Sequence, residues 1–395
     1  MKIAPIDPDK ASDINWDFIM IGAGMGGSSI GHALSSAGKK ILFCDSGFIN
    51  RNEETLSGKY SEEFFSSKSK INKRNVLKKS GRYFNYIVDK TSSASSFVPF
   101  IGSGGGGSSA LFGMAMERFF PQDFDSWPVS YEEMVPYYEK VEAQFRGKGE
   151  KDPFLPVYSL LPGPQLSPPN KEIFEFLKNQ GFRPYHLPMA CEYVRNCSEC
   201  SGYICPLDKN CKNDAFKIYL SPAIENFGAS YLQSCTVLEL MTENDLVTSA
   251  NCVVDGKSFY LKASNWIIAA GALETPKLLL KSKSKHFLNG LANSSQLVGT
   301  NLMRHLVDLY TLKTKAEIKK SYLVKQIAIS DLIFKGNKQL GILQSFGKAV
   351  APESVLEEIL SPCPFFIRKL LSVFDLIILN IIKYFVTGQR NFGFT

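Results

Sequence analysis

The feature that most constrains this chain is a glycine-rich turn set between a buried strand and a helix. Asp17-Phe-Ile-Met-Ile-Gly22 is a short run of bulky apolar residues ending at a glycine, the pattern of a strand covered on both faces. Gly22-Ala-Gly24-Met-Gly-Gly27 follows with G-x-G-x-x-G spacing. Residues 28–37 have helical character, and Lys40-Ile-Leu-Phe-Cys44 reads as a second strand ending at Asp45. Each part has a physical task. Gly22 makes the tight turn, Gly24 lets bare backbone approach a pyrophosphate, and Gly27 lets the helix pack closely on the strand. The helix N-terminus offers free N–H donors and the positive end of a dipole to the diphosphate. Asp45, eighteen residues after Gly27, is placed to accept hydrogen bonds from a ribose hydroxyl and would repel a 2′-phosphate, which disfavours NADP. The turn by itself does not separate FAD from NAD.

A second glycine cluster lies at Gly102-Ser-Gly-Gly-Gly-Gly-Ser-Ser109, continuing into Ala-Leu-Phe-Gly-Met114-Ala-Met-Glu-Arg118. Consecutive glycines through Gly106 and Gly107 leave backbone that can pass close to a flat ligand, and Ser108 and Ser109 add hydroxyl donors. A flexible linker would stay polar, whereas here an apolar helical run follows directly. Asp123-Phe-Asp-Ser-Trp127-Pro and Pro136-Tyr-Tyr come next. Further on, Asn265-Trp-Ile-Ile-Ala-Ala270-Gly271-Ala-Leu-Glu-Thr275-Pro276 reads as a buried strand entering a helix, with Pro276 suited to a first helical turn. Val298-Gly-Thr-Asn-Leu-Met-Arg-His305 closes the series.

These motifs, in this order over residues 15 to about 310, resemble the glucose-methanol-choline (GMC) family of FAD-dependent oxidoreductases. The resemblance implies FAD over NAD, oxidation of a CH–OH group of a small-molecule alcohol by hydride transfer to flavin, and an electron acceptor that the sequence does not identify. It carries over a cofactor set of Gly22, Gly24, Gly27, Asp45, Gly106, Gly107, Ser108, Ser109, Ala270 and Gly271. Val237 joins the set because such folds place a strand there to contact the adenine. Phe112 stands where the family commonly has Asn, and no His lies between His32 and His186, so the expected FAD is non-covalent. Family members keep their catalytic His in a C-terminal segment. The last His here is His305, at a different motif position, so the catalytic residues are unknown: the chain reads as a truncated form of a longer oxidoreductase or as a non-catalytic FAD-binding relative.

The expected fold class is α/β, a Rossmann-like FAD-binding domain with an interleaved, incomplete α+β substrate domain. The divisions are 1–155 and 212–310 for the FAD domain, 156–211 for a substrate-side insert, and 311–395 for the substrate domain. The insert carries Cys197, Cys200, Cys205 and Cys211, with Cys191 just upstream. Four such thiolates could hold zinc or an iron-sulfur cluster, although the second C-x2-C knuckle of a zinc ribbon is absent. Redox-active thiols and reduced cysteines in a loop are the competing readings.

Composition excludes disorder as the default: 44% of the 395 residues are hydrophobic and 21% charged. Nine cysteines, an odd number, and an N-terminus without a basic and apolar leader point to reduced thiols in the cytoplasm. The net charge of +7 is modest and concentrated in a stretch from Lys68 to Arg82 that holds no acid. It lacks aromatic interleaving or a nucleic-acid module, so no nucleic-acid partner is expected. Residues 370–386 are apolar but carry Asp375, Asn380 and Lys383, too short and too polar for a span. Leu370, Leu371, Phe374, Ile377, Ile378, Ile381 and Phe385 share one helical face, which fits a helix packed on the core or, less favoured, one in peripheral contact with a membrane.

Overall fold

The structure is a computed structural model. It describes residues 3–50, 102–110, 112–156, 160–193, 211–303, 308, 310–315, 317, 325–335, 338–348, 356, 367, 374–386 and 391–394. The basic stretch around residues 68–82 lies outside the described residues, as do Cys197, Cys200, Cys205 and His305.

In chain order the elements begin with α1 (Pro8–Asp13), β1 (Asn15–Ile21), α2 (Met25–Ser36) and β2 (Ile41–Cys44). Then come α3 (Tyr131–Gln144), α4 (Pro168–Asn179), β3 (Tyr185–His186), α5 (Ser221–Glu225), β4 (Ser230–Leu232), β5 (Cys235–Glu243), β6 (Leu246–Val254), β7 (Lys257–Ile268) and α6 (Gly271–Lys281). The rest are β8 (Tyr310–Lys313), β9 (Ile327–Ile329), β10 (Phe334–Lys335), β11 (Lys338–Gln339), β12 (Leu343–Lys348), α7 (Asp375–Val386) and β13 (Asn391–Phe394). They form two compact units. The first comprises Met1–Glu54, Asn72–Phe112 and Asp214–His305; the second comprises Thr55–Ile71, Gly113–Asn213 and Leu306–Thr395.

The first unit is built on a six-stranded sheet in the order β4-β2-β1-β7-β6-β5. Strands β4, β2, β1 and β7 run parallel, and β6 and β5 extend the sheet antiparallel. β1 is central because it is apolar on both faces. Ile19 and Ile21 pack with Leu42, Leu261 and Leu278 on one side, while Met20 packs with Ile41, Phe43 and Tyr231 on the other. Register fixes Ile19 opposite Leu42 and Trp266. α2 lies tight on this sheet: a Cβ at Gly31 would stand 2.3 Å from the Phe43 ring. The α/β class expected from sequence is the class observed.

The second unit has a five-stranded sheet, β3-β9-β12-β13-β8, with antiparallel pairings throughout, and a separate β10-β11 pair. α3 starts at a capping box in which Ser130 and Glu133 satisfy each other's backbone N–H. α4 opens with Pro168 and Pro169, where missing N–H groups cost nothing, and its Ile173 buries against Ile327 of β9. The helix expected within residues 370–386 is present as α7, but the expectation of core packing is corrected. Of the residues assigned to that face, Phe374 is 52% exposed, Ile377 59% and Ile381 53%, and Ile378 is half-buried, so these are not packed in a core; Leu370, Leu371 and the Phe385 side chain lie outside the described residues. Sequence periodicity defines a face without saying what covers it. Among the described residues, no helix is long and apolar enough to cross a membrane.

Candidate dinucleotide site

Three short segments of the first unit meet at the carboxyl end of its parallel strands. The first is the turn from β1 into α2. Gly22 adopts φ +103, and a Cβ there would lie 2.4 Å from the carbonyl oxygen of Ala269. A Cβ on Gly27 would lie 2.0 Å from the Gly22 carbonyl oxygen, so the helix can seat on the turn only without a side chain. Gly24 is the N-cap of α2 and brings no side-chain cap, which leaves the first N–H groups of the helix facing outward for a ligand.

The second segment is the glycine loop. Gly106 donates its N–H to Ala23 O at 3.0 Å, and Gly107, at φ +53, comes so close that a Cβ would sit 2.7 Å from Gly24 Cα. Gly106 also has φ +88 and backs onto Phe216, whose backbone N is 3.0 Å from where a Cβ would stand. The hydroxyl of Ser109 donates to Gly106 O and accepts the Ala215 N–H at 3.1 Å, which fixes the loop from behind. Ser108 is exposed, and its hydroxyl accepts the Gly102 N–H at 3.2 Å.

Asp45 ties the two glycine segments together. It is buried, and its carboxylate accepts from Ala23 N at 2.9 Å, Gly47 N at 2.9 Å and Gly104 N at 2.7 Å. A carboxylate has about four acceptor positions, so three are spent on backbone and one remains for a ligand hydroxyl. Sequence spacing placed this acid at the strand end but gave no sign of its grip on the loops.

The third segment is the entry to α6. Gly271, at φ +83, begins the helix, and Thr275 Oγ1 accepts the Ala270 N–H at 3.1 Å. The helix starts earlier than the proline suggested, so Pro276 sits inside it and not in the first turn.

Together these segments line a cavity of about 400 Å³. Gly22, Gly24, Asp45, Gly107, Ser108, Ser109, Val237, Ala270 and Gly271 all line it. Gly27 and Gly106 stand behind the wall, holding it in place. Sequence reasoning missed the polar rim that α6 contributes. Glu274, Lys277 and Lys281 line the same cavity, with Lys277 Nζ 3.0 Å from Glu274. Their spacing puts all three along one side of a helix, a signal that was readable once the helix start was known.

The remaining expectations concern metal and base. Among the described residues, no group of three or more His, Cys, Asp and Glu side chains is arranged to hold a metal ion. Of the four proposed cysteine ligands only Cys211 is described; it is buried, with its sulfur 3.2 Å from that of Cys191. His186 lies in β3 of the second unit, where burial lowers its pKa and Glu150 partly opposes that. His286 is exposed beside Asp245 at 3.8 Å.

A glycine turn at a helix N-terminus, a closely apposed glycine loop and an acid at the end of the second strand are elements of a Rossmann-like fold. The family follows from comparison: the chain belongs to the GMC oxidoreductases, whose family model matches residues 16–307. Members of this family bind FAD, and the bare backbone facing the cavity fits such a dinucleotide. The chain is similar to the fructose dehydrogenase large subunit of Gluconobacter japonicus, 27% identical over an alignment of 327 positions that covers 73% of this chain and 58% of that protein. It is also similar to paromamine 6'-oxidase of Streptomyces fradiae, 24% identical over 75% of this chain and 55% of that protein. Thus it spans little more than half the length of these curated relatives. Among solved structures, pyridoxine 4-oxidase from Mesorbium loti superposes with a TM-score of 0.56 at 16% identity, covering 84% of this chain and 67% of that one, a likeness of fold.

Proposed function

We propose that this chain is the FAD-binding part of an oxidoreductase that acts on the CH–OH group of a small alcohol. The observation that carries the reading is the apposition of two glycine-built backbone segments, Gly22–Gly24 and Gly104–Gly107, joined by the Gly106 N–H to Ala23 O and by Asp45, which accepts from Ala23 N and Gly104 N. The relatives, a fructose dehydrogenase and a paromamine oxidase among them, support an alcohol or sugar hydroxyl as the reacting group. When bound, the flavin would supply a two-electron acceptor for hydride.

The chain's own residues bind and orient. The N-terminus of α2 and the Gly107 backbone meet the diphosphate, the free acceptor position of Asp45 meets a ribose hydroxyl, and Val237 borders the adenine. Ala270 and Gly271, small and at the cavity edge, let the ligand lie against the start of α6. Binding is non-covalent in this proposal, since no His falls in the glycine-loop region. The domain assignment follows: the first unit holds the cofactor and the second serves the substrate.

The test is to load the purified chain with FAD, remove excess, and record the visible spectrum before and after anaerobic addition of alcohols and sugars. Retained flavin that acid denaturation releases is the expected result, followed by bleaching with a hydroxyl substrate. Failure to retain flavin overturns the proposal, and retained flavin that no hydroxyl compound bleaches leaves an FAD-binding protein without this activity. The outward apolar side chains of α7 favour a second reading, peripheral contact with a membrane, which liposome co-sedimentation checks.

A further inference from the structure

Two cysteines in the second unit are packed against each other, and neither lines the dinucleotide cavity. Cys191 and Cys211 are both fully buried, with sulfurs 3.2 Å apart. Cys191 is held in an antiparallel bridge to Lys212, the neighbour of Cys211: Asn213 donates its N–H to Ala190 O at 3.0 Å, and Glu192 donates to Cys211 O at 2.8 Å. Around the bridge, Asn213 Nδ2 donates to Glu192 at 2.9 Å and to Phe145 O at 2.7 Å, while Lys148 and Arg146 pair with Glu192 at 2.8 and 3.0 Å. The two thiols are therefore held in proximity by a clamped backbone and do not meet by chance.

From this geometry we infer that Cys191 and Cys211 form a two-electron redox site, oxidised by a hydroperoxide to a disulfide. A disulfide needs sulfurs about 2.05 Å apart, so closure asks for a movement of roughly 1 Å by side chains already in contact. Full burial selects a small oxidant, and hydrogen peroxide is the smallest of its class. One sulfur, as thiolate, attacks the O–O bond, becoming a sulfenic acid as the peroxide's other oxygen leaves as water. The second sulfur then displaces that oxygen as a further water, forming the S–S bond. Two thiols lose two electrons and two protons, and one peroxide becomes two waters. The bond would join Cys191 covalently to Cys211 across the intervening sequence and withdraw Cys211 from any metal set with Cys197, Cys200 and Cys205.

The test treats the purified full chain with hydrogen peroxide, quenches in acid, unfolds, alkylates, and maps peptides by mass spectrometry without reduction. The expected product joins the Cys191 peptide to the Cys211 peptide, two hydrogens lighter than their sum, with two fewer alkylated thiols per chain and full recovery after dithiothreitol. Cys191→Ser should abolish that product, and because the wild-type map stands without the variant, a folding defect in the variant does not obscure the answer. The inference is overturned if both cysteines remain alkylatable, if Cys211 links to a different cysteine, or if metal analysis shows Cys211 held by zinc or iron.

Discussion

The two units keep their polar groups in order by opposite means. In the first, the site is backbone: glycines stand where a Cβ would strike a neighbouring carbonyl or Cα, and one carboxylate, Asp45, gathers three N–H groups. In the second, buried side chains satisfy one another. Arg118 and Glu142 form a two-point ion pair at 2.6 and 2.7 Å, Asn170 meets Gln326 at 3.0 Å, and Glu117 takes hydrogen bonds from Tyr185 and Gln344. A backbone site tolerates no added atom, whereas a side-chain network tolerates no lost partner. The comparison teaches where each unit is fragile.

The largest expected effect lies in the second unit. The side chains of Arg118 and Glu142 are 1% and 5% exposed, so Glu142→Ala leaves a guanidinium buried without its carboxylate. That change should cost about 3–5 kcal/mol, read as a lowered midpoint in urea unfolding. If the loss is below about 1 kcal/mol, the network is not what holds this unit. Next comes Gly27→Ala in the first unit. With the Gly22 carbonyl 2.0 Å from the new Cβ, the turn must shift, at a cost on the order of 3 kcal/mol, and FAD retention should disappear with it. A Gly27→Ala variant that keeps both stability and flavin would break the account of the turn.

Legibility in the sequence divides along the same line. The strand, turn, helix, strand and acid of residues 17–45 could be read because each depends on neighbours a few positions away. The return strand before Gly271 was readable for the same reason, although Pro276 misplaced the start of its helix. What escaped was contact across the chain. Gly107 against Gly24, Asp45 on Gly104 and Phe216 behind Gly106 join segments whose proximity no local pattern records. In the second unit the partners are likewise remote in sequence: Tyr185 lies 68 residues from Glu117, and Gln344 lies 227 away. Phe374, Ile377 and Ile381 are exposed where core packing was expected, because an apolar stripe looks alike whether or not something covers it.

A smaller effect sharpens the second half of the comparison through pH. Burial raises the pKa of Glu117; the hydrogen bonds from Tyr185 and Gln344 oppose this, Asp152 adds to it, and Lys325 opposes it. The folded chain therefore holds the Glu117 proton more tightly than the unfolded chain does. Its contribution to stability is full below the unfolded value and falls as the pH rises from there through the folded one. Glu117→Gln mimics the protonated form and should flatten that fall, so that the variant gains on the wild type as the pH is raised above the ordinary glutamate range. Parallel unfolding curves at several pH values check it, and a difference that stays constant with pH would show that Glu117 is ionised in both states.

The smallest effect tests whether bareness matters at every glycine of the turn. Gly26 lies in the first turn of α2, between the two glycines that cannot be changed, yet an added Cβ there would meet nothing within 4 Å. Helix propensity then decides: Gly26→Ala should raise the stability of the FAD-free chain by up to about 1 kcal/mol, because alanine has less backbone freedom to lose. Gly107, by contrast, would bring its Cβ within 2.7 Å of Gly24 Cα, on the side where the two segments meet. A stabilised Gly26→Ala variant beside a collapsed Gly27→Ala variant would show that the fingerprint is a set of individual contacts. Equal damage at both would show that the turn demands flexibility instead, and the contact-based reading of the first unit would fail.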